Sequence, residues 1–341
     1  SGDFPGIKSK HSLVAKHVTK ERWDKVKDIT TKTAGFTLAK ACACAIQFDN
    51  QHCGIYAGDW DSYKDFAEVF DAIIQEYHGI SADAKHTSDM DVEKIKGNVN
   101  DDVPVHSTRV RVGRSIDGFG LSPGITKEQR TGVESLMKSA LAKLTGDLAG
   151  TYFPLTGMDE KVRQQLVDDH FLFVSGDRNL IVSNIISIIQ MVTFYFFKVA
   201  GMERDWPEGR GIFHNEAKTF LLWVNEEDQM RIISMEKGGD VKGVFSRLAR
   251  GIKAVGDSVK AESGKDFCLS EQYGYIHSCP TNLGTGMRAS VMIDLPGYTK
   301  EGLDALKQRC EELAVQPRGT RGESGGFDGE LINSHITLNT I

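Results

Sequence analysis

The chain has 341 residues, enough for a small domain fused to a larger one. Hydrophobic residues make up 40% and charged residues 26%, the balance of an ordinary globular protein. The formal net charge of −6 gives no global attraction to nucleic acid, so any anion site must be a local cluster of Arg or Lys.

Residues up to about Gly79 read as short helices joined by polar turns, without a clear strand. Residues 80–104, rich in Asp, Lys, His and Ser, read as an exposed linker. The boundary placed there divides the chain into an α-helical unit over 1–85 and a larger unit over 86–341. Beyond it, Thr126 and Gln129 form a capping-box pair ahead of Val133, Leu136, Met137, Leu141 and Leu144, which share one helical face. Phe220–Val224 and Arg231–Met235 predict two strands around Asn225-Glu226-Glu227-Asp228, an antiparallel hairpin with carboxylates at its tip. Asp240 predicts the cap of a helix whose buried face carries Val241, Val244, Phe245, Leu248 and Ile252. Residues 289–295 alternate partly like a further strand. The fold class expected is α+β, a small all-α N-terminal domain followed by a larger domain with an antiparallel sheet.

The run Ile181–Phe197 is apolar and uncharged between polar flanks, near the lower length limit for a membrane span. Its periodicity favours a buried helix or strand pair. The six cysteines, Cys42, Cys44, Cys53, Cys268, Cys279 and Cys310, form no CxxC pair and stand at no zinc-finger spacing to His. So sparse a use of cysteine suits a reducing compartment, and a cytoplasmic location is the expectation.

Three strings carry chemistry. In Arg109-Val110-Arg111-Val112-Gly113-Arg114, strand alternation puts Arg109 and Arg111 on one side. Two adjacent guanidiniums are either a solvated strand face or a site for phosphate, whose oxygens they match in bidentate geometry. Cys279-Pro280-Thr281-Asn282-Leu283-Gly284-Thr285-Gly286 predicts a tight turn that brings backbone N–H groups close to a ligand, although it lacks the Gly-Lys-Ser/Thr ending of a Walker loop. Arg288 follows it, and Arg318-Gly319-Thr320-Arg321-Gly322-Glu323 adds cations in a glycine-rich loop. Together they suggest a nucleotide phosphate site built from scattered arginines with acidic residues nearby.

The set of strings resembles the phosphagen kinases, the ATP:guanidino phosphotransferases, over about Phe4 to Gly326, and is most like the arginine kinases. The most specific element is Cys279-Pro280-Thr281-Asn282-Leu283-Gly284-Thr285, similar to the family signature around its reactive cysteine. Ser107-Thr108-Arg109-Val110-Arg111, Trp206-Pro207, Gly211-Ile212-Phe213-His214-Asn215, Trp223 to Asp228 and Ser234-Met235 through Gly238-Gly239 follow in family order. The resemblance implies helices flanking the sheet and reversible transfer of the ATP γ-phosphoryl group to a guanidino nitrogen, with ATP/ADP and Mg²⁺. It implies that Arg109, Arg111, Arg231, Arg288 and Arg318 bind the nucleotide phosphates and that His214 packs near the adenine. Glu227 would hold and polarise the guanidinium with Cys279 beside it, and Glu323 would be a second carboxylate on the acceptor. The implied partner is a small guanidino compound, not nucleic acid or membrane, and the implied assembly is a monomer or homodimer.

Gly54-Ile55-Tyr56-Ala57 resembles the acceptor loop of the arginine kinases, with Tyr56 at the position associated with the bound amino acid. The loop from Gln47 to Gly54 is short, which in the family goes with a larger acceptor and favours arginine. Taurocyamine or lombricine is the alternative acceptor, and an inactive relative or defective gene product is the alternative function. A protein-arginine kinase fits less well, because it has no use for an acceptor loop of this kind. The chain departs from the family at Gln229, where a His is usual, in a shortened loop between Glu323 and Gly325, and in a tail from about Gly329 that lacks the expected C-terminal helix. It departs also at 181–197, where the flanks rejoin at family spacing if the run is skipped, as an insertion such as translated intron would require.

Overall fold

The computed structural model describes residues 2–97, 105–168, 171, 196–293, 303–313, 315–319 and 332–336. The first part is helical, as expected. Helices α1 (Leu13–His17), α2 (Lys20–Val26), α3 (Leu38–Ala41), α4 (Ala43–Gln47), α5 (Asp61–Asp65) and α6 (Ala67–His78) surround one apolar cluster. Ser12, Thr19 and Thr37 each cap a helix by accepting a backbone N–H, which lets such short helices start where they do. That cluster also takes in Leu121, Cys268, Tyr273, Ile276 and Leu283 from the larger part, so the helices are anchored on the segment that leads into Cys279. The polar stretch after α6 is mostly exposed, yet Met90, Val92 and Ile95 pack against the larger core. The boundary at residue 85 stands as our proposal.

The larger part is an antiparallel sheet of eight strands. In chain order these are β1 (Val105–Arg114), β2 (Gly150–Pro154), β3 (Gly211–Asn215), β4 (Phe220–Val224), β5 (Met230–Lys237), β8 (Met287–Ile293), β9 (Gln316–Gly319) and β10 (Ile332–Ile336). Their spatial order is β2-β3-β4-β5-β1-β8-β10-β9. A two-stranded ladder, β6 (Leu269–Ser270) with β7 (Gly274–Tyr275), lies apart. One face of the sheet presents Val110, Val112, Phe213, Phe220, Leu222 and Ile232 to helices α7 (Lys127–Leu141) and α9 (Val241–Ser263) and forms the main core. Fully burying each such aliphatic or aromatic side chain contributes about 1.5–3 kcal/mol. Both helices start where the sequence predicts: Thr126 and Gln129 close a full capping box, and the Asp240 carboxylate accepts from Gly243 N. Thr126→Ala is expected to lower stability by about 1 kcal/mol in denaturant unfolding without altering nucleotide affinity.

Among the described residues, the opposite face of the sheet is covered only in part. Helix α8 (Glu160–Asp168) and the preceding residues lay Met158, Val162 and Leu166 over Ile212, Leu221 and Ile233. Around β1 and β8 this face carries arginines. The tail, expected to depart from the family fold, supplies a strand: β10 pairs with β8 and with β9. Residues 181–195 lie outside the described residues. Phe196 and Phe197 open a helical turn at 196–200, and Phe196 meets Phe48 edge-on with ring centroids 4.8 Å apart. The insertion reading of 181–197 stands as a proposal.

Candidate active site

The cationic part of the site follows from strand register. Arg111 pairs across β1–β8 with Arg288, Gly113 pairs across β1–β5 with Arg231, and Arg109 lies two residues along β1 on the same face. Arg109, Arg111, Arg231 and Arg288 thus share one face of three adjacent strands. Arg109 and Arg111 are both half-buried, more covered than a fully solvated strand face would leave them. Arg109 lies over the Trp223 ring, its Cζ 5.9 Å from the centroid. Burial, then Arg231 and Arg288, pulls the Arg109 guanidinium down to about 10, and burial with the same neighbours pushes Arg111 well below its ordinary value. Both remain cationic at neutral pH, in an environment that disfavours their charge.

Arg114, at the end of the same motif, is on the other face and fully buried. Its guanidinium stacks on Tyr275 at 3.4 Å and donates to Gly113 O and Thr285 O, a structural position.

The hairpin tip lies at the end of this face. Arg231 donates to Glu226 at 2.9 Å and to Glu227, and its Nε is 3.7 Å from Asp228. Those three carboxylates hold Arg231 firmly protonated. Burial pushes the Glu227 carboxyl above the usual carboxylate range, with Arg231 opposing the shift and Asp228 and Glu226 adding to it. Gln229, where the family has His, is buried and spends its amide on backbone: its Oε1 accepts from Ile116 N at 2.8 Å and its Nε2 donates to Gly120 O at 3.0 Å. It therefore anchors the tip and does not reach the cleft.

An open cleft of about 260 Å³ separates the arginines from the loop after Cys279. Arg111, Arg231, Arg288, Asp228 and Asn282 line it, and Gly113 and Gly286 bring backbone to its floor. The predicted tight turn is a short 3-10 helix, Pro280–Asn282, followed by Gly284 and Gly286 at positive φ.

Cys279 sits at the junction of the two parts of the molecule. Ala57 N donates to Ser278 O at 2.7 Å, and Tyr63 Oη donates to His277 O at 2.7 Å. The thiol is buried, lies 3.1 Å from Thr281 Oγ1 and hydrogen-bonds Cys53; that bond, and then burial, pushes it well above the ordinary thiol range. Burial raises the Tyr56 phenol, and Cys279 and Glu227 add to the shift, so the three lie within electrostatic range of one another. His214 lies on β3, stacked on Phe153 with centroids 5.1 Å apart, on the arginine-bearing face but three strands from β1. Arg318 is placed by its backbone alone, in β9 beyond β10, and Glu323 lies outside the described residues. Asn282 and Gly286 belong to the turn that the sequence predicts to approach a ligand, whereas sequence reasoning did not single out Gly113 as a cleft residue, nor Cys53 as the partner of Cys279. The glycine pair gave a signal in its spacing to Arg111 and Arg288; Cys53 gave none.

The C-terminal catalytic domain model of ATP:guanido phosphotransferase matches residues 132–334, and the N-terminal domain model of the same family matches residues 8–75. The chain belongs to the ATP:guanido phosphotransferases. The catalytic-domain match runs into the tail that we read as divergent. Among the relatives is an arginine kinase of Anthopleura japonica, 44% identical over 323 residues, which cover 94% of this chain and 41% of that protein. An arginine kinase of Stichopus japonicus is 42% identical over 322 residues, covering 94% of this chain and 82% of that protein. A lombricine kinase crystal structure superposes with a TM-score of 0.86 at 35% identity, covering 97% of this chain and 86% of that one. The substrate-free duplicated taurocyamine kinase of Schistosoma mansoni superposes with a TM-score of 0.81 at 36% identity, covering 95% of this chain and 43% of that one. Among the described residues of this phosphotransferase, no helix is long and apolar enough to cross a membrane.

Proposed function

We propose that this phosphotransferase moves the γ-phosphoryl group of ATP reversibly to L-arginine, giving phosphoarginine and ADP. The observation that carries the reading is the arginine face ending directly on the Glu226-Glu227-Asp228 tip, with Cys279 and Tyr56 within electrostatic range of Glu227. Phosphoryl transfer is chiefly alignment and charge neutralisation. Arg109, Arg111, Arg231 and Arg288, joined by Arg318 from β9, hold the phosphate oxygens, and His214 packs near the adenine. Glu227 orients the guanidinium and takes its proton, with Cys279 beside it and Glu323 as the second carboxylate. Arg231 touches both halves of the reaction, because it holds Glu227 while lining the phosphate cleft. Closure over both substrates excludes water and suppresses ATP hydrolysis.

In this reading Mg²⁺ enters the site on the ATP phosphates. Bound there, it neutralises phosphate charge that the arginines alone leave uncompensated. The acceptor is assigned to arginine on the Gly54-Ile55-Tyr56-Ala57 loop and on relatives named arginine kinase at 41–44% identity. Lombricine or taurocyamine is the second reading, supported by the fold neighbours. A cytoplasmic enzyme, monomeric or homodimeric, completes the proposal. Phosphorus NMR of enzyme, Mg-ATP and arginine tests it: a phosphoarginine resonance supports the reading, and its absence together with free phosphate release contradicts it.

Two further outcomes are expected. Because burial raises Glu227, its ionised, proton-accepting form is lost as pH falls through a value above the ordinary carboxylate range. The acid limb of kcat/KM should therefore lie above the Glu reference of about 4.3. A limb at or below that reference would remove Glu227 as the base. Cys279→Ser should lower kcat by about tenfold without abolishing it, since the thiol flanks the guanidinium and does not accept the phosphoryl group. Trapping a phosphocysteine during turnover would overturn that role.

A further inference from the structure

His277 lies beneath the phosphate cleft and is fully buried. Its Nδ1 is 2.9 Å from Tyr275 O. A carbonyl only accepts, so Nδ1 carries the ring proton and Nε2 is left with a lone pair. Among the described residues that Nε2 makes no hydrogen bond of ordinary geometry, and it faces the Gly113 backbone, whose acceptor favours the protonated ring. The packing is close enough that a Cβ built on Gly113 would lie 2.4 Å from Nε2, and one on Gly286 would lie 2.7 Å from Cε1. Gly113 N donates to Gly286 O at 3.0 Å, so the imidazole buttresses both halves of the cleft floor.

Asp228 completes the cluster. Its Oδ2 would be 3.4 Å from the same Cβ on Gly113, and its buried Oδ1 has no hydrogen-bond partner. The charged and titratable groups that face the ring are Asp228 from the hairpin tip and Arg114 from β1. Tyr63 from α5 reaches only the His277 carbonyl, and Tyr275 contributes its carbonyl. Across the cleft floor stand Arg111, Arg231 and Arg288.

These groups set two opposing tendencies. A proton on Nε2 would let it donate toward the Gly113 carbonyl and would place an imidazolium beside Asp228. Burial opposes that proton, with the Arg114 guanidinium adding to it and Asp228 acting the other way; burial is the largest effect and keeps His277 below its ordinary value. Phosphate oxygens brought into the cleft, across Gly113 and Gly286 from the ring, would add negative charge near it and so favour the proton.

We propose that His277 is a proton-linked positioning residue: it takes up a proton from solvent when nucleotide phosphates occupy the cleft, and as imidazolium it fixes Gly113, Gly286 and Asp228 around them. The inference rests on the proposed nucleotide role of the arginine face. By reciprocal linkage, affinity for Mg-ADP rises as pH falls through the range where His277 titrates, by up to about tenfold per pH unit for one proton.

The test is calorimetric titration of the full chain with Mg-ADP in two buffers of different ionisation enthalpy, at several pH values from 6 to 8. Saturating Mg²⁺ keeps the ADP phosphates deprotonated, so proton uptake must come from the protein. Uptake of a fraction of a proton in the wild type, lost in His277→Gln and His277→Asn along with the pH dependence of affinity, is the result expected. Zero uptake in the wild type overturns the inference whether or not the variants fold, and so does uptake retained in either variant. If the variants do not fold, histidine-labelled wild type decides: an imidazole passing from the Nδ1–H tautomer to imidazolium on adding Mg-ADP supports the inference, and no such change overturns it. Failure of the wild type to bind Mg-ADP at all would instead defeat the nucleotide reading of the cleft.

Discussion

Glu227→Gln is expected to bind Mg-ADP as tightly as the wild type and to lose about 10²–10³-fold in kcat, the usual cost of removing a positioned general base. The substitution keeps the shape of the side chain and leaves Arg231 its contacts with Glu226 and Asp228, so the phosphate cleft should stand. What is lost is a charge in a buried place where that charge orients a guanidinium and accepts its proton. Steady-state kinetics with calorimetric Mg-ADP binding separates the two effects. Wild-type turnover in this variant would remove Glu227 from the mechanism, and loss of nucleotide affinity in step with kcat would make it a scaffold for Arg231.

Arg111→Ala and Arg288→Ala should do the opposite. Each removes a charge-assisted contact to phosphate worth about 1.5–3 kcal/mol, so Mg-ADP affinity should fall roughly ten- to a hundredfold and turnover should fall further. Stability should not fall with it. The guanidiniums of Arg109, Arg111, Arg231 and Arg288 disfavour one another, and Arg111 feels the other three. Taking one away relieves repulsion, so the thermal midpoint of the unliganded variant should be unchanged or slightly higher. A large drop in that midpoint, with unaltered nucleotide affinity, would make these arginines structural.

Much of this site was legible because its parts are local. The carboxylate tip is flanked by two apolar runs that can only be strands, and the capping box before α7 is complete within four residues. Strand alternation places Arg109 and Arg111 on one face whatever the rest of the sheet does. Pairings between distant segments were not legible. Nothing in the spacing of Cys53 announces that it meets Cys279, because α-helical packing of the first part onto the second decides that contact. The tail strand Ile332–Ile336 carries mixed polar and apolar residues and acquires its place only by pairing with β8 and β9. The sequence carries no signal for His277, because its position under Gly113 depends on β1, the tip and the Gly286 turn meeting at one point.

The central claim, that this phosphotransferase is an arginine kinase, is tested most directly by an ATP-coupled assay against arginine, taurocyamine, lombricine, glycocyamine and creatine under one set of conditions. The highest kcat/KM should be with arginine, exceeding the next acceptor by at least about tenfold, the discrimination a few well-placed polar contacts supply. A higher kcat/KM with any other member of the panel would contradict the acceptor assignment, and no turnover with any of them would contradict the assignment as an active kinase.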